Sequence, residues 1–99
     1  MQVVAPRCAG LDVHRSMIAA CALISDGRGR ACKEIRQFVT TRVGLERLAG
    51  WLGELGVTHV GMESTGVYWM PVYAVLEAAG GFELIVVNAQ HAKGIVQTD

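Results

Sequence analysis

Asp26-Gly27-Arg28-Gly29 turns the first third of this chain back on itself. Glycine supplies the positive φ that tight hairpins need, and the short acidic side chain favours turn initiation. The turn stands between two segments of strand length, Ser16 to Ser25 and Arg30 to Val39. The first is a nearly continuous apolar run, so both of its faces are expected to be covered. Arg7 to Val13 reads as an earlier strand, weakened in its interior by Gly10. Three antiparallel strands are therefore predicted before any helix begins.

The pattern then changes period. Thr40 or Thr41 can cap a helix that runs to about Leu55, with Leu45, Leu48, Leu52 and Leu55 on one stripe. Gly44, Gly50 and Gly53 each weaken such a helix by about 1 kcal/mol relative to alanine if interior, so packing of the leucines must compensate. Gly56 is a C-terminal stop. Val57 to Glu63 reads as a fourth strand, followed by Ser64-Thr65-Gly66, whose hydroxyls can cap the next helix. That helix is expected from about Tyr68, with Pro71 in its first turn, Val72, Val75, Leu76 and Ala79 on one side, and Gly80-Gly81 at its end. Phe82 to Val87 is a fifth strand. The order βββαβαβ describes an α/β domain: a hairpin-extended mixed sheet to which right-handed crossovers add parallel strands.

At 99 residues the chain is read as one domain, and 52% hydrophobic with 18% charged residues is a globular composition. The longest aliphatic or sulfur-containing run, Met17 to Ile24, is far short of the roughly 20 residues of a membrane span. No membrane association is expected, and no basic-then-apolar segment signals export. Cys8, Cys21 and Cys32 show no ligand spacing and lie in apolar segments, which predicts three reduced, buried thiols and a cytoplasmic location. Net charge is zero but unevenly spread. Through Arg47 there are eight basic residues against four acidic, a net +4, while the remainder has one basic against five acidic, a net −4. The basic stripe from Arg28 to Arg47 can neutralise backbone phosphates, and it reads equally well as a solvated face.

Two acids end apolar strands. Asp12 closes Cys8-Ala-Gly-Leu-Asp12, and Glu63 closes Val57-Thr-His-Val-Gly-Met-Glu63. Open α/β sheets collect ligands outside the carboxyl ends of their strands. With strand four parallel beside strand one, both carboxylates would reach one edge and could share a divalent ion. Mg²⁺ takes hard oxygen ligands and keeps several waters, so few carboxylates plus a substrate phosphate suffice. Paired ions roughly 4 Å apart can stabilise attacking and leaving oxygens of a phosphodiester displacement.

Gly-Leu-Asp12-Val-His14, Met-Glu63-Ser-Thr-Gly-Val-Tyr-Trp69 and Val-Val-Asn88-Ala-Gln-His-Ala-Lys93 together resemble the "one-ten" insertion-sequence transposases. The resemblance covers nearly the whole chain, and the Glu63 to Trp69 block is its most specific part. It implies a RuvC-like, ribonuclease H-like fold with a DEDD set of metal-binding carboxylates, action on DNA, and Mg²⁺ or Mn²⁺ as cofactor. Asp12 and Glu63 match two of the four acids. Thr98-Asp99 matches the first half of a Thr-Asp-x-x-Asp segment, which makes Asp99 a third candidate ligand and catalytic residue. The fourth acid and the family's serine-bearing C-terminal domain are not in this sequence. The chain is therefore expected to be an incomplete N-terminal domain, a fragment or decayed copy that is inactive alone. The resemblance extends the expected partners to a structured or guide RNA and, in full length, to further copies of the chain. Arg28, Arg30, Lys33, Arg36 and Lys93 are the candidate nucleic-acid contacts.

Plainer readings stand beside these. Asp12 alone reads as a turn-initiating cap, and Glu63 alone as an acid at the positive end of the following helix dipole. His14 is expected on the opposite side of the strand from Asp12, at the surface or partly packed. Ser64 and Thr65 read as caps rather than nucleophiles. Tyr68 and Trp69 can stack on a base, although packing is the preferred role for Trp69. His91 and Lys93 can contact phosphate. A non-catalytic remnant that folds, dimerises or binds nucleic acid is the main alternative function. An actin-like or sugar-kinase-like ATPase domain fits less well. Its phosphate cradle wants small residues after the first Asp, and here Val13-His14-Arg15 follows.

Overall fold

The computed structural model describes residues 6–88. Seven elements follow the expected order: β1 (Arg7–Val13), β2 (Met17–Ser25), β3 (Ala31–Val39), α1 (Arg42–Glu54), β4 (His59–Ser64), α2 (Trp69–Ala79) and β5 (Glu83–Asn88). The five strands form one sheet in the order β3-β2-β1-β4-β5. β1 is central, antiparallel to β2 and parallel to β4, and β5 adds parallel to β4. The hairpin turn is closed by Asp26, whose Oδ1 accepts from the backbone N–H groups of Arg28 and Arg30 at 2.7 and 3.2 Å.

Alternate residues of each strand face opposite ways. Ala9, Leu11 and Val13 of β1, Ile18, Ala20 and Ala22 of β2, and Val60 and Met62 of β4 face one way. They join Leu45, Leu48 and Leu52 of α1 and Val72 and Leu76 of α2 in a single core. Both helices thus cover one face. Among the described residues no helix covers the other, where Leu23, Ile35 and Ile85 remain 42, 70 and 43% exposed. The expectation that β2 is covered on both faces is therefore wrong. Ile18, Ala20 and Ala22 are buried while Met17, Ala19 and Cys21 are only half-buried. An unbroken apolar run lacks the polar alternation that would have marked its open side.

α1 begins where expected, with the Thr41 hydroxyl accepting from Gly44 N–H at 3.1 Å. Gly44 is buried, and a Cβ there would drive into the carbonyl oxygen of Val39, so this glycine is required by packing. At the other end, the Arg7 guanidinium donates to the carbonyl of Leu55 at 2.6 Å. It thereby satisfies a last-turn acceptor and complements the negative end of the helix. Gly56 follows at φ 70°, the left-handed stop that its position suggests.

α2 differs from expectation at its start. Its N-cap is Tyr68 with no side-chain cap, and Ser64 Oγ instead donates to the Thr65 carbonyl at 3.1 Å while buried in the core-facing side of β4. Three further residues separate Thr65 from the helix, too many for its hydroxyl to reach the first free N–H groups. Ala79, expected on the apolar side of this helix, is exposed. The thiols also differ from expectation: only Cys8 is buried, while Cys21 is half-buried and Cys32 is exposed on the edge strand β3. No helix of the described residues is long and apolar enough to cross a membrane.

Candidate metal centre

β1 and β4 run side by side in parallel, and their register makes Asp12 the direct neighbour of Glu63. Adjacent strands lie about 4.8 Å apart, and residues in register share a face. Asp12 is the penultimate residue of β1 and Glu63 that of β4, so both sit near the carboxyl ends of their strands. Leu11 and Met62, one residue back, are fully buried on the helix side, which leaves the two acids on the open side. The same row continues across the sheet through Ala19 and Gln37 on one side and Val87 on the other.

The open face is hollow beside the acids. A cavity of about 280 Å³ is lined by residues including Gly10, Asp12, Ala19, Cys21, Ile35 and Glu63. Gly10 contributes no side chain, and a Cβ built there meets nothing within 4 Å. Small residues on β1 and β2 thus form the floor of a depression with two carboxylates on its wall. Like charges in register on neighbouring strands repel. A cation held between them would turn that repulsion into ligation, and hard oxygen donors would suit Mg²⁺ or Mn²⁺. Among the described residues no group of three or more His, Cys, Asp or Glu side chains gathers to hold a metal. Asp99 lies outside the described residues, as do His91 and Lys93.

His14 is where the sequence reading fails most plainly. It lies just past the end of β1, two residues beyond Asp12, and an extended chain returns to the same side at that spacing. Its Nε2 lies 3.1 Å from Asp12 Oδ2, with the two side chains 55 and 62% exposed. An ionised carboxylate only accepts, so the imidazole N–H is the donor. The signal was present in the spacing Asp12-Val13-His14. Gly10 beside the acid is a second sign of a depression, although in the sequence it marks only a weak point in the strand.

The remaining candidates scatter. Arg28 and Arg30 sit on or beside the β2–β3 turn, six residues along β2 from the row that contains Asp12, or about 20 Å. Lys33 and Arg36 are separated by an odd number of positions on β3 and so point to opposite faces. Arg36 lies over the Phe38 ring at 5.3 Å from its centroid. Trp69 is half-buried against the core and meets Tyr73 edge-on at 5.7 Å, a packing role, whereas Tyr68 is 40% exposed beside the β4–α2 turn.

Solved structures share this fold. A *T. thermophilus* RuvC in complex with Holliday junction substrate matches over 90% of this chain and 68% of its own length, at 11% identity and a TM-score of 0.60. A second *Thermus thermophilus* RuvC structure matches over 88% and 66%, at 13% identity and a TM-score of 0.58. An *Aquifex aeolicus* Ppx/GppA family member matches over 86% of this chain and 36% of its own, at 15% identity and a TM-score of 0.50. At these identities the likeness is one of fold, a RuvC-like, ribonuclease H-like mixed sheet, as the motif resemblance implies. No curated protein shows significant sequence similarity. A family model described as a transposase, of the DEDD insertion-sequence type, matches residues 9–99, and the chain belongs to that transposase family.

Proposed function

We propose that this domain is the metal-binding part of a DNA transposase, with Asp12 and Glu63 as ligands for Mg²⁺ or Mn²⁺. The observation that carries the reading is their side-by-side register on the open face, at the wall of a cavity. The donor set fits the group. Mg²⁺ is commonly held by one or two carboxylates, with water and substrate phosphate completing the shell. Asp99 is proposed as a further ligand on the motif match alone. When bound, a divalent cation there supplies charge stabilisation at a phosphodiester. The chain's own residues hold the carboxylates on rigid strands, keep the cavity floor small, and leave one side of the sheet open to a bulky substrate.

DNA is the proposed partner, supported by the family membership and by the junction substrate held by a protein of the same fold. Arg28, Arg30, Lys33, Arg36 and Lys93 are proposed as phosphate contacts that position the nucleic acid without reading its sequence. A structured or guide RNA and further copies of the chain are proposed from the family resemblance alone. Calorimetric titration of Mn²⁺ into the wild type, Asp12→Ala and Glu63→Ala tests the assignment. Heat of binding in the wild type and its loss in both variants is expected, and equal heats in all three contradict it. A second reading is a non-catalytic domain that binds nucleic acid through the β2–β3 hairpin, where Arg28, Arg30 and Lys33 are exposed. Mg²⁺-dependent DNA cleavage by this chain would exclude that second reading.

A further inference from the structure

We propose that His14 is a positioning residue for the metal-binding carboxylate of Asp12. The inference rests on the metal reading above and goes beyond it to a residue outside the acid set. Three observations carry it. Nε2 of His14 is 3.1 Å from Oδ2 of Asp12, within hydrogen-bond range for a charge-assisted pair. The cavity is lined by Asp12 and Glu63 but not by His14, so the imidazole holds the carboxylate from outside the hollow. The His14 backbone is itself fixed, its N–H donating to the carbonyl of Met17 at 2.9 Å across the β1–β2 turn. That turn is fastened again where the Thr40 hydroxyl donates to the Arg15 carbonyl at 3.0 Å.

The consequence is chemical. An aspartate more than half exposed on an open sheet face has rotamer freedom that a ligand must lose on binding a cation. A donor that occupies Oδ2 removes part of that freedom in advance and leaves Oδ1 as the oxygen available to the ion. Carboxylate ligands are commonly oriented in this way by a hydrogen-bonding neighbour. His14 thus prepares Asp12 and does not itself ligate.

The test is Mn²⁺ binding to the full chain followed by electron paramagnetic resonance, with the wild type, His14→Ala, His14→Gln and Asp12→Ala compared. Glutamine keeps an N–H donor at about the reach of Nε2. His14→Ala is expected to weaken Mn²⁺ by about tenfold or more, with His14→Gln recovering to within about threefold of the wild type. Thermal unfolding of the metal-free His14 variants is expected to match the wild type, because both side chains are largely in solvent. No nitrogen hyperfine coupling from a directly bound imidazole is expected. Unchanged affinity in His14→Ala overturns the proposal, and so does a directly coordinated nitrogen, which would make His14 a ligand. Failure of the wild type to bind Mn²⁺, or binding that survives Asp12→Ala, overturns the metal reading and this inference with it.

Discussion

The two faces of the sheet are built from the same strands and do opposite things. On the helix side Leu11, Ile18, Met62, Leu48, Leu52 and Leu76 are fully buried and hold the domain together. On the open side the alternate positions of β1 and β4 carry Asp12 and Glu63 beside Gly10 and Ala19, residues that bury little. The difference shows how a small domain can keep the residues that stabilise it apart from those proposed to bind a ligand. A period of two assigns each strand residue to one task, and neighbouring residues such as Leu11 and Asp12 differ in role completely. Changes on the covered face should therefore act on folding, and changes on the open face on ligands.

The largest expected effect is on the covered face. Leu48→Ala, at a fully buried position, should destabilise the domain by about 2–5 kcal/mol in urea unfolding. A cost below about 1 kcal/mol would mean that the α1 stripe is not the core. Next comes Gly44→Ala, which places a methyl group against the Val39 carbonyl and should cost about 1–3 kcal/mol, although alanine is the better helix former. Stabilisation by this change would show that α1 and β3 are not in close contact. The smallest effects belong to the open face. Ile35→Ser and Asp12→Ala should each shift stability by no more than about 0.5 kcal/mol, as exposed substitutions usually do. A large loss in Ile35→Ser would instead mean that this face is covered in solution, and the comparison would fail.

Most of the fold was legible because its punctuation is chemical. The Asp26 to Gly29 turn, the Thr41 cap, the leucine stripe and Gly56 each impose one local geometry, and the elements follow from them in order. The side of the sheet left open was not legible. Ile18 and Cys21 look equally apolar in sequence, and only the placement of both helices on one face distinguishes them. Gly44 reads as a propensity defect until the neighbouring carbonyl is seen. At the site, strand ends and motif pointed to Asp12 and Glu63, while the register that sets them side by side depends on β4 adding next to β1. His14 was recoverable from spacing alone. Ser64 resembles a cap because it is a hydroxyl following a strand, although a helix starting near Tyr68 already leaves it too far away to cap.

Diffraction from crystals of this chain soaked in Mn²⁺, recorded for anomalous scattering, tests the shared-cation account most directly. The account predicts a peak on the open face with oxygens of both Asp12 and Glu63 at about 2.2 Å, the distance of hard-oxygen coordination. A peak elsewhere on the chain, or contact with only one of the two acids, would contradict it.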